Sequence, residues 1–158
     1  MNKKEILHLQ SVRESFHEVE ALIEKVCDEY NLNETYLGCI SVAISEAFDN
    51  ALTHGNRNNP ELSIVVSAEK TDQGLVFTVK DEGKGYDYNS IPDPGKKGSE
   101  PLHFPGRGLF LIKTLSDNVS FNEAGNEISI GFRLTRINLE TEVDRISKLQ
   151  EFAKPEEN

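Results

Sequence analysis

The sequence of 158 residues has no tryptophan, only two cysteines and fewer basic than acidic side chains. Its 17 lysines and arginines against 27 aspartates and glutamates give a formal net charge of −10. Nucleic acids and anionic membranes attract basic side chains, so this balance argues against both as partners. A basic protein partner fits the charge better, although an acidic surface that serves only solubility is the more common case.

Long apolar runs are also absent from the sequence. No run approaches the length of a membrane span, and residues 1–5 do not lead into the apolar centre of a signal peptide. Cys27 and Cys39 are too far apart for a CxxC pair, and both fall among apolar helical positions. Two buried, reduced thiols indicate a cytoplasmic protein. The length favours a single domain with an aliphatic core that includes some phenylalanine.

Polar residues that carry chemistry are concentrated between Ser45 and Gly55, inside a helical pattern that starts near Asn33. Apolar residues recur there at three- and four-residue spacing, which predicts one buried helix face. These apolar positions are Leu37, Ile40, Ile44, Ala47, Phe48 and Ala51, and the polar positions on the opposite side are Glu46, Asp49, Asn50 and Thr53. Such a polar side is ordinarily a solvated surface, unless other segments lie against it.

Apolar periodicity divides the rest of the chain into strands and helices. Alternation predicts strands at 5–10, 62–68, 75–79, 118–122 and 127–134. Helical spacing predicts helices at 11–30, 33–55 and 108–115 and from 138 onward, with Ser11 and Asn33 as N-caps. This order indicates an α+β fold, with an antiparallel sheet and helices on one face. The last helix is amphipathic and either packs on the domain or is held by a partner.

Two glycine-rich segments flank a long stretch, from Glu82 to Gly106, that has few apolar residues and is typical of a functional loop. In the first segment, Asp81-Glu82-Gly83-Lys84-Gly85, a carboxylate follows an apolar strand and can accept a hydrogen bond from an exocyclic amine. Its glycines allow the backbone to approach a flat ligand closely. Taken alone, this segment is more often an ordinary turn.

The second glycine-rich segment, Gly106-Arg107-Gly108-Leu109, precedes a predicted helix, where free N–H groups can bind phosphate oxygens. Glu46 and Asn50 lie one turn apart on the earlier helix. An amide oxygen suits Mg²⁺, which takes few protein ligands together with nucleotide phosphates. Glu46 can then serve as a general base for a hydroxyl near the γ-phosphate. Each feature alone is also compatible with an ordinary helix start or a polar helix surface.

In this order, the three segments resemble the N, G1 and G2 boxes of the ATPases shared by gyrase, MutL, the heat-shock chaperone and histidine kinases. Within that superfamily, Ser45-Glu46-Ala47, Asn50-Ala51 and His54-Gly55 are similar to the anti-sigma factor serine/threonine kinases of bacterial partner switching. The resemblance runs from about residue 11 to residue 134. It implies an α/β sandwich with a mixed sheet covered on one side by helices.

The resemblance also implies a role for each segment. Glu46 would be the catalytic base, Asn50 would hold Mg²⁺ and Asp81 would bind the adenine amine of ATP. The 84–105 segment would be the ATP lid. Residues implied to contact the nucleotide are Asn50, Asp81, Gly83, Gly85, Gly106, Arg107, Gly108 and Leu109. Residues 1–136 would form the histidine kinase-like ATPase domain, and residues 137–158 a C-terminal helix and tail.

The activity implied by the resemblance is Mg²⁺-ATP-dependent phosphorylation of a serine on a small antagonist protein, together with sequestration of a sigma factor, in a homodimer. The chain departs from the family pattern at three points. Phe104 stands where an arginine usually neutralises the transferring phosphate, Asn126 stands where a threonine supports the aspartate, and a helical tail follows residue 138. The first departure keeps an alternative open, namely an ATP-binding regulatory module with little or no kinase activity.

Overall fold

The computed structural model describes residues 3–87, 106–134 and 139–153. These residues form a five-stranded sheet and four α-helices, close to the elements that the periodicity predicts. The elements are β1 (Lys4–Gln10), α1 (Phe16–Glu29), α2 (Glu34–Asn50), β2 (Ser63–Thr71), β3 (Gly74–Lys80), α3 (Arg107–Leu115), β4 (Asn118–Phe121), β5 (Glu127–Arg133) and α4 (Leu139–Ala153). The predicted α+β sandwich is therefore confirmed.

The strand order is β1-β2-β3-β5-β4, and each neighbouring pair is antiparallel. Two of these pairs are hairpins, and in one of them Thr71 and Gly74 pair across a tight turn. A short turn reverses the chain, so the strands that it joins are antiparallel by construction. The antiparallel sheet predicted from the pattern is confirmed, whereas the mixed sheet implied by the family resemblance is wrong for these strands.

The core lies between one face of the sheet and helices α1, α2 and α3. Alternate residues of the central strands point into it, since Val66, Phe77 and Ile130 are fully buried. On the opposite face, at the adjacent paired positions, the hydroxyls of Ser67 and Thr78 are hydrogen bonded to each other. Because side chains alternate across a strand, this pattern leaves the helices on a single face.

Helix α2 has the N-cap that the sequence predicts, because the Asn33 side chain accepts a hydrogen bond from the N–H of Tyr36 at 2.9 Å. The predicted Ser11 cap of the preceding helix is wrong. Ser11 is buried, and its hydroxyl accepts a hydrogen bond from the Asn56 amide at 3.2 Å. A 3₁₀ turn leads into α1, which starts only at Phe16. The Ser11 side chain thus makes a tertiary contact instead of the helix cap that the local sequence pattern predicted.

The predicted helix at 33–55 does not keep one geometry to its end. After Asn50 it continues as a π-helical turn, Ala51–Gly55, and the N–H of Asn56 donates to the Ala51 carbonyl at 2.8 Å. π-helical turns are rare and often occur at functional sites. Here the wider turn brings Gly55 directly against the carboxylate of Asp81.

The C-terminal helix α4 packs against α3, one of the two arrangements open from the sequence. The rings of Phe110 and Phe152 lie 4.9 Å apart between centroids, and Arg145 forms an ion pair with Asp117. The 88–105 part of the expected lid, including Phe104, lies outside the described residues. None of the described helices combines the length and the apolarity that a membrane crossing requires.

Candidate functional site

The N-terminus of α3 lies directly against the polar pair on α2. A Cβ atom at Gly108 would lie 2.9 Å from Glu46 Oε2 and 3.3 Å from Asn50 Nδ2, closer than side chains normally approach. Only glycine therefore allows α3 to come this close without displacing either side chain. The fold thus brings together two segments that are more than fifty residues apart in the chain.

The N-cap of α3 makes no side-chain hydrogen bond, so its first turn carries backbone donors that the helix itself does not pair. Gly106 has a positive φ of 90° and serves as the N-cap without a side-chain hydrogen bond. The first helical hydrogen bond runs from the N–H of Phe110 to the Gly106 carbonyl at 2.9 Å. The N–H groups of Arg107, Gly108 and Leu109 precede it and have no acceptor within the helix. Donors in this arrangement bind anions such as phosphate.

Asp81 follows β3 and is 8% exposed. Its Oδ1 accepts a hydrogen bond from the N–H of Gly83 at 2.7 Å. Burial raises the pKa of the Asp81 carboxyl, and the Gly83 N–H opposes that rise. A Cβ at Gly55 would overlap the carboxylate itself, and one at Gly83 would overlap the Gly55 carbonyl oxygen. From the sequence, Gly55 was predicted to end a helix and to belong to the first motif, but its contact with Asp81 was not predicted.

The segment that follows Asp81 is held against the turn between β4 and β5. The N–H of Asp81 donates to the Asn126 carbonyl at 2.9 Å, and the N–H of Tyr86 donates to the Gly125 carbonyl at 3.1 Å. Gly85 has a φ of 84° and lies against the Ala124 carbonyl, where a Cβ would overlap it. Gly85 therefore shapes the segment through backbone packing.

Asn126 stands at the position where the family pattern has a threonine. Its side-chain oxygen accepts a hydrogen bond from the Asn122 amide at 2.6 Å. The Asn122 oxygen in turn accepts from the N–H groups of Asn126 and Glu127, at 3.0 and 3.2 Å. The turn is thus closed by side-chain amides, and Asn126 supports Asp81 through its backbone carbonyl. Asn122 was not among the predicted site residues, since it belongs to no recognised motif.

Residues from all three predicted segments line one small cavity of about 10 Å³, enough for about one water molecule. Asn50 comes from α2, Asp81 from the end of β3 and Leu109 from α3, and Asn126 closes the cavity from the β5 side. The walls also include apolar side chains of the core. Within the described residues, one member of each predicted segment thus borders this cavity.

Arg107 faces a different part of the site. Its Nη1 lies 3.9 Å from Glu46 Oε1, and the two side chains are 40% and 24% exposed. Burial raises the pKa of the Glu46 carboxyl, the charge of Arg107 lowers it and the charge of Asp49 raises it. Such a carboxyl is a stronger proton acceptor than an exposed one, and the nearby cation favours its ionised form.

A second cavity, of about 510 Å³, has Glu46 in its wall. Arg13, His17, Asp49 and Arg107 contribute to its walls, and Arg13 forms an ion pair with Asp49 at 3.2 Å. Glu46 therefore borders a cavity far larger than the one that contains Asp81. Arg13 was not among the predicted site residues, because an isolated arginine ahead of a helix carries no sequence signal.

Comparison with known proteins gives this arrangement a family. A family model described as the histidine kinase-like ATPase domain matches residues 9–132, which include all the predicted site residues. An anti-sigma F factor of Heyndrickxia coagulans is 33% identical over 131 residues, which are 77% of this chain and 84% of that protein. The chain belongs to the anti-sigma factor kinase family of histidine kinase-like ATPases.

Two further relatives of this ATPase match shorter segments. A serine-protein kinase RsbW of Staphylococcus epidermidis is 31% identical over 96 residues, 56% of this chain and 60% of that protein. An anti-sigma F factor of Bacillus subtilis (strain 168) is 30% identical over 98 residues, 61% of this chain and 66% of that protein. The chain thus matches less than two thirds of the length of these two relatives. The family predicted from the three boxes is confirmed.

Proposed function

We propose that this ATPase-family protein is a Mg²⁺-ATP-dependent protein serine/threonine kinase of the anti-sigma factor type, acting on a small antagonist protein. The observation that carries the proposal is the position of Glu46. It lies beside the N-terminus of α3 and borders a cavity of about 510 Å³. That cavity is on the scale of pockets that admit a substrate group. A serine side chain entering from this side would meet the carboxylate next to the phosphate site.

The nucleotide would bind with its adenine at Asp81 and its phosphates at the start of α3. The buried Asp81 carboxylate can accept a hydrogen bond from the exocyclic amine, and Gly83 and Gly85 let the chain approach the base without a Cβ. The N–H groups of residues 107–109 suit phosphate oxygens. Since the small cavity holds only about one water, base binding requires the walls around Asn50 and Leu109 to separate.

Asn50 is the residue that would hold Mg²⁺. Its amide contributes a neutral oxygen, and Mg²⁺ commonly completes its shell with water and nucleotide phosphates. The close contact with Gly108, where a Cβ would lie 3.3 Å from the Asn50 amide, puts that amide beside the phosphate-binding N–H groups. The residues present therefore fit the ion. Bound Mg²⁺-ATP supplies the transferable phosphoryl group and neutralises part of its charge.

Glu46 would take the proton from the attacking hydroxyl. As the serine Oγ bonds to the γ-phosphorus, the bond to the ADP oxygen breaks and the Oγ proton passes to a Glu46 carboxylate oxygen. Burial raises the pKa of this carboxyl, which makes the carboxylate a better proton acceptor, and the charge of Arg107 opposes that rise. Arg107 also brings positive charge to the side of the site where phosphate charge increases in the transition state.

The proposed setting is the one that the relatives suggest. They are named as anti-sigma factors and serine-protein kinases, so the partners proposed here are a sigma factor and its antagonist. We propose a homodimer located in the cytoplasm. Cys27 and Cys39 are both buried and form no disulfide, which agrees with a reducing compartment.

The test is phosphate transfer from labelled Mg²⁺-ATP to a small serine-bearing antagonist from the same genome. Glu46→Gln should reduce transfer by about 10²- to 10⁴-fold, the usual contribution of a general base. Binding of Mg²⁺-ATP, measured by calorimetry, should change less than about threefold, which corresponds to no more than about one net hydrogen bond. Glu24→Gln, an exposed glutamate on α1, is the matched control and should behave like the wild type.

A second candidate function is an ATP-binding regulatory module without appreciable transfer. Phe104 favours it, because that position in the family pattern holds an arginine. Intact Mg²⁺-ATP binding with no transfer to any antagonist would support the module and contradict the kinase. Phe104→Arg then separates two causes, since it raises transfer if only the cation is missing. Absence of Mg²⁺-ATP binding would contradict both functions.

A further inference from the structure

The chain continues past the family match, which ends at residue 132, into helix α4. Near its end, Phe152 contacts the candidate site. The Arg107 guanidinium carbon lies 5.7 Å from the centroid of the Phe152 ring, within the range of a cation–π interaction. The same ring packs on Phe110, one helical turn after Arg107, at 4.9 Å between centroids.

We propose that Phe152 is a positioning residue that holds the Arg107 guanidinium at the phosphate end of the site, beside Glu46. This inference rests on the proposed nucleotide-dependent function and adds to it a residue outside the family domain. In this arrangement the tail supports a cation that compensates for the phenylalanine at position 104.

The way Arg107 is held supports this assignment. Its Nη1 is 3.9 Å from Glu46 Oε1, which is too long for a hydrogen bond. Its Nε is buried and has no hydrogen-bond partner within the described ranges. A cation–π contact fixes the guanidinium through the ring face and uses none of its N–H donors. An arginine held in this way keeps donors available for phosphate oxygens, which it binds in a planar, two-pronged geometry.

The position of α4 is fixed independently of Phe152. Arg145, about two turns earlier on the helix, pairs with Asp117. Asp117 is itself held in place, since its second carboxylate oxygen accepts from the N–H of Arg133 at 2.8 Å and its own N–H donates to the Gly131 carbonyl at 2.9 Å. The ion pair thus ties the helix to β5. Replacing the Phe152 ring should therefore change the placement of Arg107 without releasing α4.

The first test uses the full chain without nucleotide. The Nε–H signal of Arg107 is recorded by ¹⁵N NMR and assigned by its loss in Arg107→Lys. In the wild type this signal should be resolved and shifted by the ring current of Phe152. The signal should have the same position in Phe152→Tyr. Phe152→Leu, which preserves apolar packing, should move it to the position of a solvent-exposed arginine. Ile146→Ala, on the same helix, is the control. An unchanged signal in Phe152→Leu would overturn the proposal.

The second test adds inorganic tripolyphosphate as the probe. The Arg107 signal should shift on addition in the wild type and in Phe152→Tyr. At the same concentration the shift should be about three- to fivefold smaller in Phe152→Leu, the size expected for one exposed cation–π contact. Equal shifts in all three proteins would show that the ring does not position Arg107 toward phosphate.

Kinetics provide a third readout where transfer is observed. Phe152→Leu should lower kcat about three- to fivefold while KM for Mg²⁺-ATP stays the same. Phe152→Tyr should have the kcat of the wild type. A rise in kcat would instead mean that α4 covers the site and inhibits it, which contradicts the proposal. If the wild type transfers no phosphate, the proposed kinase function is contradicted. The two NMR tests still decide whether Phe152 positions Arg107.

Discussion

The proposed adenine side of the candidate site, around Asp81, and its proposed phosphate side, around Glu46, are built differently. Around Asp81, backbone atoms pack against the carboxylate, and there is no room for a methyl group at Gly55 or Gly83. Around Glu46 the contacts are between long side chains, with a 3.9 Å ion pair to Arg107 beside a cavity of about 510 Å³. The first side is closely packed and intolerant of substitution, whereas the second can adjust to a reacting group. Four predictions test this contrast.

The largest effect is expected from adding one methyl group on the adenine side. In Gly83→Ala the new Cβ would overlap the Gly55 carbonyl oxygen, which is backbone and cannot move cheaply. We expect a loss of about 3 kcal/mol in the free energy of unfolding, as for severe overpacking, and no measurable Mg²⁺-ATP binding. Urea denaturation and calorimetry measure the two effects.

Gly38→Ala is the matched control for this substitution. Gly38 lies exposed in α2, and a Cβ there has nothing within 4 Å. Alanine should therefore stabilise the protein by about 0.5–1 kcal/mol through helix propensity. Similar losses of stability in the two variants would show that the adenine side is not specially packed.

The next effect concerns the charge of Asp81. Asp81→Asn keeps an oxygen for the Gly83 N–H but loses the ionised acceptor for the adenine amine. Hydrogen bonds to charged groups contribute about 1.5–3 kcal/mol, so Mg²⁺-ATP binding should weaken about ten- to hundredfold. Asp72→Asn, an exposed aspartate in the β2–β3 turn, should bind like the wild type. Affinity retained in Asp81→Asn would remove the proposed base contact.

The same substitution should change stability with pH. The Asp81 pKa is raised by burial above its ordinary value of 3.8, so the folded chain binds this proton more tightly than the unfolded chain. The corresponding stability is complete below pH 3.8 and is lost as pH rises through the raised pKa. Asp81→Asn should therefore gain stability relative to the wild type from roughly pH 4 upward. A difference that does not vary with pH in urea denaturation would contradict this.

The smallest effect is expected at the rim of the larger cavity. Arg13 and Asp49 pair at 3.2 Å, with side chains 71% and 45% exposed. A double-mutant cycle with Arg13→Gln and Asp49→Asn should give a coupling of about 0.2–1 kcal/mol in unfolding free energy, reduced by salt. A coupling above 2 kcal/mol, twice the top of the range usual for exposed pairs, would mean that this side is as tightly built as the adenine side.

The contrast between the two sides also explains what the sequence can and cannot predict. Asp81, Gly83 and Gly108 were identified because each lies in a short local motif whose glycines mark close contacts. Alternation and short turns predicted the antiparallel sheet correctly. The mixed sheet implied by the family resemblance was wrong about strand direction. Local spacing carries such information because it reflects the geometry of single elements.

Long-range contacts were missed for the opposite reason. Ser11 matches a helix cap in the sequence, but its hydroxyl is used by Asn56, which is 45 residues away. Nothing near Phe152 indicates that its ring lies on Arg107, because that contact exists only once α3 and α4 are docked. The roles of Asn122 and Gly55 likewise depend on which neighbour the fold brings beside them.

The π-helical turn at Ala51–Gly55 makes the purine side sensitive to chain length as well as to residue type. Such a turn contains one residue more than an α-helical turn, and each residue of an α-helix rotates the chain by about 100°. If these five residues wound as a regular α-helix, Gly55 would lie about 100° further round the helix axis, away from the carboxylate that it touches. A residue inserted between Asn50 and Gly55 would rotate this glycine in the same way, although every residue of the candidate site would be unchanged.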